Sequence, residues 1–275
     1  MSADDAPDES AAVEAAWAYE GLHVEALFRQ WTTPVLDAAA VSTGDRVLDV
    51  ACGTGVLARA AVSAVGPDGA VNGLDIGPGM LAVAEELEPR VRWVEGDAGA
   101  LPFDDDEFDA VVCQFGLMFF PDRVQAIREM LRCVRPGGRV AVAVWETLDR
   151  SEVYPLTVDL LRRRAGDAAA DALRAPFVLG DTDELRSLFE EAGVARVAID
   201  TQHGTARFPS VRSMVEADLR GWLPVMGVQL DESGIEQILA EAEELLARFV
   251  TADGTMVFDA PAHVVSVESP GTAAI

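Results

Sequence analysis

The chain has 275 residues, half of them hydrophobic, which is enough to bury a substantial core and excludes global disorder. Its 47 acidic against 21 basic residues give a net charge of −26, which opposes phosphate backbones and anionic lipids and so argues against a nucleic-acid or membrane partner. Every cation among the 21 is arginine, so no lysine can act as general base or Schiff-base former, and the three cysteines, Cys52, Cys113 and Cys133, have neither metal-ligand spacing nor a disulfide framework.

In chain order, residues 1–12 (MSADDAPDESAA) are acidic, contain proline and lack an apolar stretch, and are expected to be a disordered tail and no secretory signal. No run approaches the roughly 18 apolar residues of a membrane span, and the expected compartment is the cytoplasm. Over 13–40 the spacing of Trp17, Leu22, Leu27, Phe28, Trp31, Val35 and Leu36 predicts two helices divided near Thr33 and Pro34, forming an N-terminal lid.

From 41 to 150 short apolar runs alternate with helical spacing. RVLDVA, AVNGLDI, VRWVEGD, part of FDAVVCQFGLMFF, and RVAVAVWE read as strands; GVLARAAVSAV, PGMLAVAEEL and DRVQAIREMLRCV read as helices, the last stopped by RPGG. That rhythm implies right-handed βαβ units and a mostly parallel sheet. Beyond Leu148 it breaks. Residues 150–175 look helical, TDELRSLFEEAG has a cap-like Thr182 and a terminal Gly193, and a strand follows near 194–200. Two helical segments fill 207–250, and a last strand, bent at Pro261, occupies 256–268. The expectation is one α/β domain: a cofactor-binding core over 41–150, the remainder of the core over 151–275, and helical substrate-cap insertions near 150–175 and 207–250.

Ligands of an open parallel sheet lie beyond the carboxyl ends of its strands. There the first strand offers Asp49, Ala51, Cys52, Gly53 and Gly55, and Gly53 to Ala58 fits G-x-G-x-x-A, a dinucleotide fingerprint. Small residues before a helix N-terminus suit a pyrophosphate, but Asp49 would repel one; a carboxylate could instead anchor a ligand's ammonium group. Asp75 ends the second strand, placed to accept from ribose hydroxyls; Asp97 and Ala98 follow the third, and Gln114 ends the fourth.

Together VLDVACGTG, GLDIGPGML, VEGDAGALPFDDDEFDAVVCQFGLMFFPD and LRCVRPGGRVAVAVWE resemble the class I S-adenosylmethionine-dependent methyltransferases, in particular the small-molecule branch of the ubiquinone and menaquinone C-methyltransferases. The resemblance covers 46–146 and implies a Rossmann-like three-layer sandwich around a seven-stranded sheet. It implies further that Asp49 orients the methionine end of S-adenosylmethionine, that Ala51, Cys52, Gly53 and Gly55 form the close-approach loop, and that Asp75 holds the ribose. Ile76 and Met80 would pack on the adenine, Asp97 and Ala98 would meet its amino group, Cys113 and Gln114 would lie near the methyl, and Trp31 would lie near the cofactor. Ala51 departs from the family's glycine.

Methyl transfer from a sulfonium is an in-line displacement in which alignment matters most and a base is optional. Tyr19 and His23, four apart, share one helix face as substrate-side candidates; His203 and His263 are further histidines, and the fourth-strand loop FGLMFFPD lacks the histidine some natural-product O-methyltransferases place there. Phe115 and Met118 either line an apolar acceptor pocket or bury the strand-to-helix connection. No metal site is expected. Two other readings stay open: a non-catalytic binder of the same cofactor and fold, and an NAD-dependent oxidoreductase, which lacks its Tyr/Lys pair.

Overall fold

A computed structural model describes residues 9–269. β1 (Arg46–Val50), β2 (Ala70–Asp75), β3 (Arg92–Glu95), β4 (Phe108–Gln114) and β5 (Val134–Trp145) run parallel, and α3 (Val56–Val65), α4 (Pro78–Leu87) and α5 (Arg123–Cys133) make three of the crossovers. β6 (Ala198–Gln202) and β9 (Ala262–Glu268) complete a seven-stranded sheet in the order β3-β2-β1-β4-β5-β9-β6, with β9 antiparallel to both neighbours. Val47, Leu48, Val50, Val111, Val112, Val142 and Val144 are fully buried, as strands covered on both faces require. The chain leaves β1 toward β2 on one side and later returns to β4 on the other, so the crevice at the carboxyl ends of β1 and β4 is the topological switch point.

Over this edge lies a long, irregular N-terminal helix. α1 (Glu9–Tyr19) passes into a π-helical stretch, Glu20–Phe28, then a short 3₁₀ turn, Arg29–Trp31, and α2 (Thr32–Ala38). The cap is completed by α6 (Tyr154–Ala165), α7 (Asp167–Arg174), α9 (Val211–Glu216), a second π stretch (Ala217–Trp222), α10 (Leu223–Val225) and α11 (Glu232–Leu245). α8 (Thr182–Glu191) packs instead on α5. A two-stranded sheet, β7 (Thr205–Phe208) with β8 (Met256–Asp259), packs against the first π stretch.

Several expectations need correction. Of the loose tail expected over 1–12, residues 1–8 lie outside the described residues, whereas the stretch from 9 to 12 is helical. Ala12 is seated directly on Gly79 of α4, where an added Cβ would come within 2.7 Å of the Ala12 carbonyl. The helix division falls at 29–31, and Pro34 occupies the first turn of α2, where its missing N–H costs nothing. β5 runs through RPGG, with a register shift opposite Phe108 and Ala110 absorbing the extra residues. Asp181, one residue before the predicted Thr182, caps α8 by accepting from the Asp183 and Glu184 N–H groups. Pro261 separates two strands of different sheets, and β7 was not expected. No helix among the described residues is long and apolar enough to cross a membrane.

Candidate functional site

The loop after β1 turns left-handed at Ala51 (φ 56°), Gly53 (φ 55°) and Gly55 (φ 85°). Glycine accepts this freely; Ala51 carries a strain of roughly 1–2 kcal/mol, the cost of an L side chain in that region. Asp49 lies beneath the loop, 1% exposed. Its Oδ2 accepts from the Ala58 N–H in the first turn of α3 (2.9 Å), while Oδ1 has no partner. Burial, reinforced by the nearby Asp75 carboxylate, pushes its acid up to about 8 despite that hydrogen bond. Asp75 is partnered on both oxygens, accepting from the Gly53 N–H (2.8 Å) and the Gly77 N–H (2.8 Å), and thereby ties the loop to the start of α4. Burial raises its acid as well, against these two bonds.

Two buried acceptors at the crevice therefore lack donors: Asp49 Oδ1 on β1 and Gln114 Oε1 on the adjacent β4. The Gln114 Nε2 is occupied, donating to the Phe28 carbonyl of the lid (3.2 Å). An unsatisfied buried acceptor costs about 1–3 kcal/mol, so this edge is built for a ligand bringing donors, such as an ammonium group with three. Asp75 retains lone pairs for a diol, and Ile76, 71% exposed beside it, offers an open apolar face to a flat base. The residues thus fit a nucleoside with an amino-acid tail, with no phosphate to meet Asp49.

Of the other predicted residues, Cys52 and Cys113 are buried and their thiols are pushed up by burial, Cys113 to about 12, so neither is a thiolate nucleophile. Met80 stands half-buried beside Gly77. Asp97 is exposed and accepts from the Gly99 N–H (2.7 Å), with Ala98 buried beside it. Arg132 of α5 holds this turn's continuation by donating to the carbonyls of Leu101 (3.0 Å) and Phe103 (2.8 Å).

Tyr19 comes down on the loop: a Cβ on Gly53 would stand 3.8 Å from its Cε1. His23 stacks on Tyr19 (5.6 Å) and Phe28 (6.5 Å). Phe115 is buried and stacks on Trp145 (3.9 Å, 12°), and Met118 is buried in the connection to α5. Trp31 is buried: its ring stands edge-on to Phe115 and Trp145 and fills the space at Gly204, and its Nε1 has no partner. His263 is a structural residue, its Nδ1 sharing a hydrogen bond with Thr201 Oγ1 (2.8 Å) and its Nε2 one with the Gly180 carbonyl (2.9 Å). His203 pairs with Asp259 at the exposed end of the small sheet.

Four residues of the site went unread in the sequence. Phe28 joins Tyr19 and His23 because the π stretch breaks the α-helical period. Nine residues are two and a half α-helical turns, which would set Tyr19 and Phe28 on opposite sides, yet their rings are 5.6 Å apart. The i→i+5 hydrogen bond from the Arg29 N–H to the Val24 carbonyl marks the wider turn. Glu20 accepts from Thr54 Oγ1 (2.6 Å) and Arg59 Nη2 (2.6 Å), latching the lid to the glycine loop and α3. A contiguous pattern could not have found it, since its partners lie 34 and 39 positions away. Charge-assisted hydrogen bonds of this kind are worth about 1.5–3 kcal/mol, so Glu20→Ala should speed release of a nucleoside ligand from the crevice roughly tenfold or more. Stopped-flow release of S-adenosylhomocysteine reads this directly, and an unchanged rate would show that the latch does not gate the crevice.

The sequence profile of the ubiE/COQ5 methyltransferase family matches residues 23–157. A demethylmenaquinone methyltransferase from Staphylococcus carnosus is 36% identical over 188 residues, 63% of this chain and 78% of that protein. The chloroplastic 2-phytyl-1,4-beta-naphthoquinone methyltransferase of Arabidopsis thaliana is 43% identical over 122 residues, 42% of this chain and 47% of that protein, so there the likeness is confined to about half its length. Among solved structures, a Haemonchus contortus phosphoethanolamine N-methyltransferase 2 bound to phosphomonomethylethanolamine and S-adenosylhomocysteine superposes with a TM-score of 0.57. The two are 18% identical, and the match covers 93% of this chain and 57% of that one, a likeness of fold.

Proposed function

The chain belongs to the ubiE/COQ5 methyltransferase family and is an S-adenosylmethionine-dependent methyltransferase acting on a small molecule, and on that premise we propose that its acceptor is an electron-rich ring of the quinol type. The observation that carries this reading is the inner side of the lid, where the rings of Tyr19, His23 and Phe28 lie within 30° of parallel. Phe28 continues this wall to Phe115 and Trp145. A flat, apolar acceptor matches such a wall. The reduced ring, and not the quinone, is the reactive form, because a sulfonium methyl needs an electron-rich carbon or oxygen to attack it.

When bound, the cofactor supplies a methyl group already activated for displacement, so the protein's contribution is alignment, exclusion of water and proton removal. We assign Asp49 Oδ1 and Gln114 Oε1 to the ammonium end, Gly53 and Gly55 to close backbone approach, and Asp75 to the ribose. Ile76 and Met80 are assigned to the adenine faces, and Asp97 with Ala98 to its edge. Glu20 and Tyr19 hold the lid over the glycine loop.

The test has two parts. Calorimetry should give S-adenosylhomocysteine a Kd on the order of micromolar, within the usual range for enzyme ligands, and Asp75→Ala should weaken it at least tenfold. Labelled methyl should then pass from S-adenosylmethionine to a chemically reduced 2-prenyl-1,4-naphthoquinone. Binding without transfer to any quinol would remove the acceptor assignment and leave the cofactor site standing.

A further inference from the structure

Beyond the cofactor crevice, the cap holds a second cluster of buried polar groups whose nitrogen and oxygen atoms the roles above do not use. His23 and Asp218 are 8% and 5% exposed, with His23 Nε2 facing Asp218 Oδ1 at 3.8 Å. The remaining atom of each pair, His23 Nδ1 and Asp218 Oδ2, is buried without a partner. Both residues sit in the two π-helical stretches, Glu20–Phe28 and Ala217–Trp222, which approach each other under the cap. Gly221 of the second stretch packs beside the imidazole edge, where a Cβ would stand 3.8 Å from His23 Cε1. π turns cost hydrogen-bond geometry and concentrate at functional sites, and two of them meeting at an unsatisfied carboxylate–imidazole pair is not what a packing role requires.

We propose that His23 is the general base of methyl transfer and that Asp218 is its positioning residue. The inference rests on the reading of the protein as a methyltransferase of a ring hydroxyl compound. Tyr19, stacked on His23, reaches the glycine loop, and Phe28, whose ring adjoins both, accepts from Gln114 at its carbonyl, so the base stands on the same wall as the cofactor-facing residues. Asp218 faces Nε2 and favours the tautomer that carries its proton there, leaving Nδ1 as the nitrogen free to accept.

In the step itself the acceptor's hydroxyl proton passes to His23. The oxyanion, or the ring carbon conjugated with it, forms a bond to the methyl group as the methyl–sulfur bond breaks, and the electron pair of that bond stays on sulfur. Where carbon is the attacking atom, its ring proton is lost as the hydroxyl is restored. In either case one proton per turnover leaves for solvent.

The experiment uses the full chain with S-adenosylmethionine and the reduced 2-prenyl-1,4-naphthoquinone, with catechol as a second acidic hydroxyl acceptor. His23→Ala and the volume-conserving His23→Gln should lower kcat by about 10²–10⁴, the usual contribution of a general base, while the Kd for S-adenosylhomocysteine changes less than threefold. Added imidazole should restore part of the His23→Ala rate and none of the His23→Gln rate, whose side chain fills the space. Asp218→Asn should lower kcat about tenfold or more with little change in KM, and should cost nothing further in the His23→Ala background, because it acts through the imidazole.

A small fall in kcat for both His23 variants, without imidazole rescue, overturns the base assignment while the methyltransferase reading stands. Additive losses in the double variant overturn the role of Asp218. A wild-type protein that binds S-adenosylhomocysteine but methylates neither probe overturns both the acceptor class and the base. Absence of binding in the wild type overturns the reading on which they rest.

Discussion

Asp49→Asn should make the ligand-free protein more stable at pH 8 and at the same time weaken its hold on S-adenosylmethionine about 100-fold or more. In the folded chain the Asp49 acid is raised from 3.8 to about 8. Between those values the folded chain keeps a proton that the unfolded chain has released, so stability falls as pH rises, by about 1.4 kcal/mol per unit. Above pH 8 the loss is complete, on the order of 5 kcal/mol for a group so fully buried. Asparagine keeps the acceptor for the Ala58 N–H and has no proton to lose; its amide nitrogen inherits the place of the unpartnered oxygen at a cost of about 1–3 kcal/mol.

The variant should therefore be slightly less stable than the wild type near pH 5, cross it, and melt several degrees higher at pH 8. Ligand affinity should show the complement. A cationic amino-acid tail needs the carboxylate, so wild-type affinity should rise up to tenfold per pH unit from 6 toward 8 with uptake of the released proton by buffer, and the variant should be flat and weak. Melting curves and calorimetry in two buffers at pH 5, 6.5 and 8 decide it. A stability difference independent of pH would mean that Asp49 is ionised throughout.

The same conflict explains what could be read in advance. The parallel core was legible because short β-branched runs such as RVLDV and DAVVC alternate with helical stretches, as strands buried on both faces do, and the glycines between β1 and α3 announce a tight turn. Strand-end polar residues were legible by position: Asp49, Asp75 and Gln114 follow from topology, because the carboxyl ends of the parallel strands β1 to β5 lie on one edge. The lid was not. Its two π stretches abandon the 3.6-residue period on which helix reading depends, so Phe28 and the partnership of His23 with Asp218 were hidden, although Tyr19 and His23, four apart, could still be paired.

Trp31 and Met118 could not be divided between packing and binding for a related reason. Aromatic and thioether side chains near a site serve packing and binding with the same chemistry, and only the Phe115–Trp145 stack and the close approach of Gly204 separate the two. The histidines divide on hydrogen-bond satisfaction, a property of three-dimensional neighbours: His263 has a partner on each nitrogen, and His23 has one left over. The long-range latch of Glu20 to Thr54 and Arg59 is likewise a product of helix placement, which Ala12 on Gly79 helps to set.

Gly55→Ala should be the most damaging single methyl group added to the loop, and Gly53→Ala a mild one, although both glycines belong to the same motif. Both have positive φ, which costs an alanine about 1–2 kcal/mol. At Gly53 the new methyl group finds open space with Tyr19 at 3.8 Å, whereas at Gly55 it would overlap the Trp93 ring, which also lies against Gly73 of β2. Trp93 is itself fixed, donating from Nε1 to the Glu88 carbonyl (3.1 Å), so it cannot swing clear without losing that bond. Overpacking adds about 1–3 kcal/mol, for a total of roughly 2–5 kcal/mol, a large part of the 5–15 kcal/mol that holds a typical domain. Denaturant titration should place Gly53→Ala within about 2 kcal/mol of wild type and Gly55→Ala well beyond it. Trp93→Ala in the Gly55→Ala background should then cost less than it does alone by at least about 1 kcal/mol, because the ring it removes is the one in conflict. Equal losses for the two glycine variants would mean that φ alone governs the loop and that Trp93 yields.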